Sequence, residues 1–67
     1  MRSPLPLTSY QLECLAWLLQ GKTNGDIAAL GNVRRRAVEF QLPNIRRKLN
    51  VMTTYQALDI AIKHNWI

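Results

Sequence analysis

Cysteine and acidic residues are scarce in this sequence, which has one Cys and four Asp and Glu among 67 residues. A single cysteine excludes an internal disulfide framework and a cysteine-rich zinc site. No apolar run approaches the roughly 20 residues that span a bilayer, and no signal-peptide pattern opens the chain. We therefore predict a protein that makes no contact with a membrane.

Catalytic residue sets are also missing. No Ser/His/Asp set, paired carboxylates or glycine-rich phosphate loop can be assembled from these residues. The length suits one domain, and the hydrophobic share of 48% is enough to form a core. The sequence predicts a protein that is not an enzyme and that holds no metal, cofactor or small-molecule ligand.

Positive charge is concentrated in one segment of the chain. Nine Lys and Arg against four acids give a net charge of +5. Residues 34–48 account for all of this excess, because they hold six basic residues and one acid, Glu39. A neutral body with one basic segment favours a polyanionic partner, whereas the alternative is a solvated surface with no partner.

Hydrophobic spacing and helix caps predict an all-α domain of four helices, at about 8–20, 24–30, 35–49 and 54–65. Thr8, Thr23 and Thr53 stand where an N-cap is expected, and each is followed three residues later by the Gln or Asp of a capping box. Residues 1–6, with two prolines, are predicted to form an extended arm before the domain at 7–67.

The third predicted helix has two contrasting stripes. Apolar residues at 38, 42, 45 and 49 form a stripe to be buried, and the opposite stripe carries Arg36, Phe40, Pro43 and Arg47. Since proline lacks an N–H and its ring clashes with the preceding turn, we expect a kink at Pro43 or a break near residue 42.

The fourth predicted helix has an inner apolar side and a second stripe that contains Tyr55, Asp59, Ile62 and Trp66. A terminal helix that is apolar on two sides has a further surface to bury. We expect this second stripe either to bind a partner or to cover the flank of the domain itself.

Two sequence features together resemble a known family. The stretch LTSYQLECLAWLLQGKTNGDIA at 7–28 and the later residues Val38, Asn44, Ile45, Lys48 and Leu49 resemble the LuxR-type helix-turn-helix domain, which is shared with the NarL/FixJ response regulators. The Val-x-Phe-x-Leu-x-Asn run at 38–44 is most similar to the quorum-sensing branch.

The resemblance implies a DNA-binding transcriptional regulator in the bacterial cytoplasm. The helix at 35–49 would enter the major groove of double-stranded DNA, and the helix at 24–30 would cross the backbone above it. The helix at 54–65 would form a homodimer or pair with another LuxR-type regulator. The domain is usually the output half of a longer chain, so this sequence is either part of such a chain or an output domain alone.

The resemblance and the charge of the chain together give ten candidate DNA-binding positions. The resemblance supplies Lys22, Thr23, Glu39, Phe40 and Pro43, and the charge of the basic segment supplies Arg34, Arg35, Arg36, Arg47 and Lys48. Phe40 has three open interpretations: a base contact, an anchor for a protein partner, or a ring lying beside Arg36.

Several residues depart from the family pattern on this same surface. Arg34 replaces the Ser that usually caps the third helix, and Glu39 and Pro43 replace basic or polar residues that read bases. The alternative hypothesis is therefore an anti-activator that does not bind DNA and pairs with a full-length LuxR-type regulator through the Tyr55, Ile62 and Trp66 face.

Overall fold

A computed structural model describes residues 5–67, and this part of the chain contains four α-helices and no strand. They are α1 (Ser9–Leu19), α2 (Asn24–Gly31), α3 (Arg35–Leu49) and α4 (Thr54–Lys63). The predicted all-α, four-helix class is confirmed, and the predicted bounds agree to within about two residues. Residues 1–4, which make up most of the predicted arm, lie outside the described residues.

Local side-chain bonds explain where three of the helices begin. At α1, the Thr8 hydroxyl accepts from the Gln11 amide at 3.1 Å, and the Gln11 side chain accepts from the Thr8 amide at 3.0 Å. The same reciprocal pair caps α2 and α4. The start of α3 differs, because its N-cap Arg34 makes no side-chain capping bond.

The ends of the helices use residues that tolerate a left-handed backbone. Gly21 follows α1 with φ of 88°, and Asn32, Asn50 and Asn65 follow the other helices with φ between 54° and 59°. Glycine and asparagine adopt this region most readily, so each helix stops within a residue or two of its last turn.

Two buried clusters hold the helices together, and α3 contributes to both. Ile45 joins Leu7, Leu15, Ala57 and Ala61 in the first cluster. The second cluster consists of Cys14, Ile27, Ala28 and Val38. Because Val38 and Ile45 are both fully buried, the inner side of α3 is anchored at two points and its outer side faces solvent.

Pro43 lies between these two anchors. The α3 helix is continuous from Arg35 to Leu49, so the break suggested near residue 42 is not present. Proline still removes the backbone donor to the Glu39 carbonyl, which leaves that turn one hydrogen bond short. Packing of Val38 before the proline and Ile45 after it offsets this cost and keeps the helix in one piece.

Trp66 does not share a stripe of α4, contrary to the sequence prediction. The helix ends at Lys63, and Asn65 turns the chain with φ of 59°. The Trp66 amide then donates to the Ala61 carbonyl at 2.8 Å, and the indole packs against the first core cluster. The tryptophan thus covers the flank of its own domain.

Candidate nucleic-acid interface

The outer side of α3 presents an aromatic ring between two arginines. Arg36, Phe40 and Arg47 are exposed, and Pro43 is half-buried beside them. The Phe40 side chain keeps 66% of its surface accessible, so the interpretation that packs this ring away beside Arg36 does not hold. An apolar group flanked by cations is available here to any ligand that approaches α3 from outside.

Arg47 is oriented by a chain of hydrogen bonds along α3. Its Nη1 donates to Asn44 Oδ1 at 2.7 Å, and Asn44 Nδ2 donates to the Phe40 carbonyl at 3.2 Å. The guanidinium uses one of its five donors in this way and keeps the rest for an anion. Asn44, which sequence reasoning did not place in the site, therefore positions a candidate phosphate contact.

An ion pair on α3 joins Arg35 to Glu39. Arg35 Nε lies 3.1 Å from Glu39 Oε2, at the i,i+4 spacing that brings two side chains together on a helix. The single acidic residue of the basic segment is thus neutralised by its neighbour. The positive charge that this segment exposes therefore comes from Arg34, Arg36, Arg47 and Lys48.

Lys48 and Arg46 make bonds within the domain. Lys48 Nζ donates to Gln11 Oε1 at 3.0 Å, and Gln11 Nε2 donates to Gln41 Oε1 at 3.2 Å. Arg46 Nη1 donates to Thr54 Oγ1 at 3.2 Å, which ties α3 to the start of α4. Lys48 is exposed and retains two further donors, but its first role in the fold is structural.

Gln11 is the one polar side chain that is fully buried among residues 5–67, with 4% of its surface exposed. Its amide connects α1 to Gln41 and Lys48 on α3 and also caps α1 through Thr8. The sequence identified only the cap. The two bonds to α3 join residues 30 and 37 positions apart, and no local pattern signals them.

Lys22 and Thr23 stand immediately before α2. The Thr23 hydroxyl accepts from the Asp26 amide at 3.1 Å, and the Thr23 amide donates to Asp26 Oδ2 at 3.0 Å. This backbone hydrogen bond is the main cause that lowers the pKa of the Asp26 carboxyl below its ordinary value. The Thr23 hydroxyl also hydrogen-bonds to the Asp26 carboxylate, so the exposed Lys22 ammonium is the group that remains available to an anion at the positive end of the helix.

Tyr55, Asp59 and Ile62 lie at i, i+4 and i+7 on α4 and share one side of it. Tyr55 keeps 83% of its surface exposed and Ile62 keeps 45%. Asp59 pairs with Lys63 on the same helix, with 3.1 Å between Oδ2 and Nζ. This side of α4 remains the candidate partner face without Trp66.

Cys14 belongs to the core. It is fully buried, and burial raises the pKa of its thiol above the ordinary value. The thiol is therefore protonated at neutral pH and does not serve as a nucleophile. Burial and the adjacent Cys14 likewise raise the pKa of the Tyr10 phenol.

A short α2 that leads through a tight connection into an exposed, basic α3 defines the helix-turn-helix class of DNA-binding transcription regulators. Comparison with known proteins identifies the family within that class. The profile described as "Bacterial regulatory proteins, luxR family" matches residues 5–61. The chain belongs to this LuxR family, whose members are regulators and not enzymes.

Relatives in the family carry the names of transcriptional activators. The chain is 38% identical over 61 residues to the transcriptional activator protein VanR of Vibrio anguillarum, covering 91% of this chain and 25% of VanR. It is 40% identical over 52 residues to AhyR of Aeromonas hydrophila, with 78% and 20% covered. The match to LuxR of Aliivibrio fischeri is 39% over 56 residues, with 84% and 22% covered. The chain spans about a quarter or less of the length of these relatives.

None of the helices in residues 5–67 has the length and apolar character needed to cross a membrane.

Proposed function

We propose that this domain regulates transcription by placing α3 in the major groove of double-stranded DNA. The observation that carries the proposal is the outer side of α3, where Arg36, Phe40 and Arg47 are exposed while Val38 and Ile45 fix the opposite side in the core. The helix has 15 residues and is about 22 Å long, a length that suits the groove.

Phosphate contacts would come from the two ends of the helix-turn-helix. Arg34, Arg35 and Arg36 at the start of α3 would contact one backbone, and Lys22 with Thr23 at the start of α2 would contact the neighbouring phosphates. The N-terminus of a helix attracts anions, and a bound phosphate would compensate the missing cap at Arg34. Such contacts fix the register on the duplex.

Base contacts would come from the middle of α3. Phe40 has no hydrogen-bonding group, so it fits the methyl group of thymine, the one apolar feature of the groove floor. Pro43 offers no donor and adds apolar surface beside Phe40. Arg47, held by Asn44 at 2.7 Å, stands further along the helix for a phosphate or a guanine edge.

Two copies of the domain would pair through α4. Tyr55 and Ile62 give this surface two exposed apolar anchors, and Asp59 lies between them. A two-fold dimer presents two α3 helices to two half-sites one helical turn apart.

Some relatives in the family are named as quorum sensing-dependent transcriptional regulators. Their names support a place for this domain in the quorum-sensing branch of the family, in the bacterial cytoplasm where the chromosome lies.

The test measures affinity for a mixed-sequence duplex at increasing salt. Wild-type protein is compared with Arg36→Gln/Arg47→Gln, which removes two exposed cations from α3. Each phosphate that a cation no longer neutralises flattens the slope of log K against log salt by about 0.9, so the double variant should bind more weakly and flatten the slope by about 1.8.

Lys63→Gln is the charge-matched control for each of the two single variants, Arg36→Gln and Arg47→Gln, whose slopes should each flatten by about 0.9. It removes one positive charge from an exposed side chain on α4, away from α3. Its salt slope should equal that of the wild type. If the wild type binds no duplex at low salt, or if the α3 variants keep its slope, the proposed function is wrong.

A second candidate function is an anti-activator that pairs with a full-length LuxR-type regulator. The observations that favour it are Pro43, which has no hydrogen-bond donor for a base, and the Tyr55 side chain, which is 83% exposed on α4. Sedimentation of the domain mixed with such a regulator would distinguish the two functions. A heterodimer that fails to bind DNA supports the second one, and Tyr55→Ala should abolish it.

A further inference from the structure

The ion pair between Arg35 and Glu39 occupies the first two turns of α3. The two side chains are 71% and 48% exposed, and 3.1 Å separates Arg35 Nε from Glu39 Oε2. Exposed pairs at i,i+4 contribute little to the stability of a helix. The pair has a greater effect on what the α3 surface can bind, because it holds one carboxylate among several arginines.

The geometry leaves part of each group unused. Arg35 Nε lies against Glu39, and a guanidinium has five N–H donors, so Arg35 can pair with Glu39 and donate to a phosphate at the same time. A carboxylate has two oxygens and about four acceptor sites, and the Glu39 side chain is 48% exposed, so it can accept a further hydrogen bond. The pair can therefore contact two different groups of a duplex at once.

A carboxylate selects strongly among the four bases in the major groove. Guanine and thymine present acceptor oxygens there, which repel it, and adenine presents its amino donor next to the N7 acceptor. Cytosine presents the N4 amino donor and no acceptor of its own. An acceptor-only side chain at this position thus favours cytosine.

Arg35 removes the main obstacle to such a contact. An isolated carboxylate in the groove would be repelled by the flanking phosphates. In this structure the carboxylate carries its own counter-cation at 3.1 Å, and the same cation can bind a phosphate through its terminal nitrogens. Binding of Arg35 to the backbone would hold Glu39 toward the base edges.

We propose that Glu39 determines specificity by accepting a hydrogen bond from cytosine N4, and that Arg35 is its positioning residue and phosphate anchor. This inference rests on the proposed placement of α3 in the major groove. It assigns to Glu39 a selective role in place of simple repulsion of DNA.

The test begins with selection from a randomised duplex pool by the wild type and by Glu39→Gln. The wild type should enrich cytosine at one position of the site. The variant keeps the shape of the side chain but adds donors, and it should lose cytosine in favour of adenine, which glutamine can bind through N6 and N7. Circular dichroism should show unchanged helix content, since position 39 is exposed.

Affinities are then measured for the selected duplex and for the same duplex with that C·G pair replaced by T·A. The wild type should bind about tenfold more weakly on replacement, the typical cost of one wrong base pair. For Glu39→Gln and Arg35→Gln the ratio should fall toward one. Arg36→Gln, which removes the same charge without touching the pair, should weaken binding to both duplexes and keep the tenfold ratio.

The outcomes separate this inference from the proposal beneath it. If the wild type binds no duplex, the proposed function fails. If it binds DNA but Glu39→Gln gains affinity equally for both duplexes and enriches the same sites, Glu39 only repels DNA and the inference is wrong. If Arg35→Gln retains the tenfold ratio, the positioning role of Arg35 is wrong.

Discussion

Replacing Gln11 by methionine should destabilise this domain, although the two side chains have nearly the same volume. The loss should exceed that of a typical substitution that conserves volume. The Gln11 side chain is 4% exposed and makes three hydrogen bonds, to Thr8 and Lys48 at 3.0 Å and to Gln41 at 3.2 Å. Methionine fills the same space and removes all three bonds, so the experiment isolates the polar contribution from packing.

The magnitude follows from the exposure of the partners. A typical intramolecular hydrogen bond contributes about 1 kcal/mol net, and a bond to a charged group contributes about 1.5–3 kcal/mol. Thr8 and Lys48 are exposed, so their donors can hydrogen-bond to water in the variant, and these two bonds contribute less to the free energy of unfolding. Gln41 is half-buried and has less access to water. We therefore expect Gln11→Met to lower the free energy of unfolding by about 2 kcal/mol, and the Tm by roughly 10 °C in a domain of this size.

Urea denaturation followed by far-UV circular dichroism measures this change. The midpoint should fall while the m-value stays constant, because the surface exposed on unfolding is nearly the same. Gln11→Glu is the control, since it keeps the oxygen that accepts from the Thr8 amide and from Lys48, adds a negative charge beside Lys48, and loses only the donor to Gln41. It should lose less than half as much stability. The hydrogen bonds of Gln11 would not stabilise the fold as argued if Gln11→Met lowered the free energy of unfolding by less than about 0.5 kcal/mol, or if both variants lowered it equally.

Three further predictions concern stability. Gly31→Ala should raise the free energy of unfolding by about 0.5–1 kcal/mol in thermal melts, because Gly31 lies in α2 and a Cβ there would meet nothing closer than 3.8 Å; a lower stability would contradict the open space. Pro43→Ala should stabilise the domain by up to about 3 kcal/mol in urea denaturation, because it restores the donor to the Glu39 carbonyl; an unchanged midpoint would count against this. The pKa of Asp26 is lowered in the folded state, chiefly by the Thr23 amide, so its contribution is complete above the ordinary carboxyl pKa of about 4 and is lost as pH falls through the lower folded value. Asp26→Asn should make stability less dependent on pH in this acid range, and an unchanged profile would exclude the linkage.

Local features of the sequence were sufficient to predict the helices. Each capping box joins residues three positions apart, so the pairs that begin α1, α2 and α4 can be read directly from the chain. The buried positions Val38 and Ile45 follow from helical periodicity in the same way. These signals depend on neighbours within one or two turns.

Side-chain partners across the fold could not be predicted in this way. Lys48 was assigned to DNA from its charge, yet it bonds to Gln11 on another helix. Trp66 was assigned to α4 by extending its period, but Asn65 ends the regular backbone and the indole packs on the core. In both cases tertiary packing decides where the side chain goes.

The candidate DNA surface could be predicted from the sequence only in part. The sequence located its charge and its exposed ring at Phe40, both of which follow from position on one helix face. It missed that Glu39 is paired with Arg35 and that Asn44 holds Arg47, because several rotamers are open to each side chain. The structure thereby changes the meaning of Glu39 from a defect of the surface to a candidate selector.

A two-dimensional amide NMR titration tests whether the outer side of α3 is the DNA-binding surface. The domain is titrated with a mixed-sequence duplex at low and then at moderate salt. DNA binding through α3 predicts salt-sensitive shifts at residues 22–23 and 34–48, and pairing of two copies on the duplex would add shifts at Tyr55 and Ile62 on α4. The absence of shifts at low salt, or shifts confined to α4, would contradict the claim that the outer side of α3 is the DNA-binding surface.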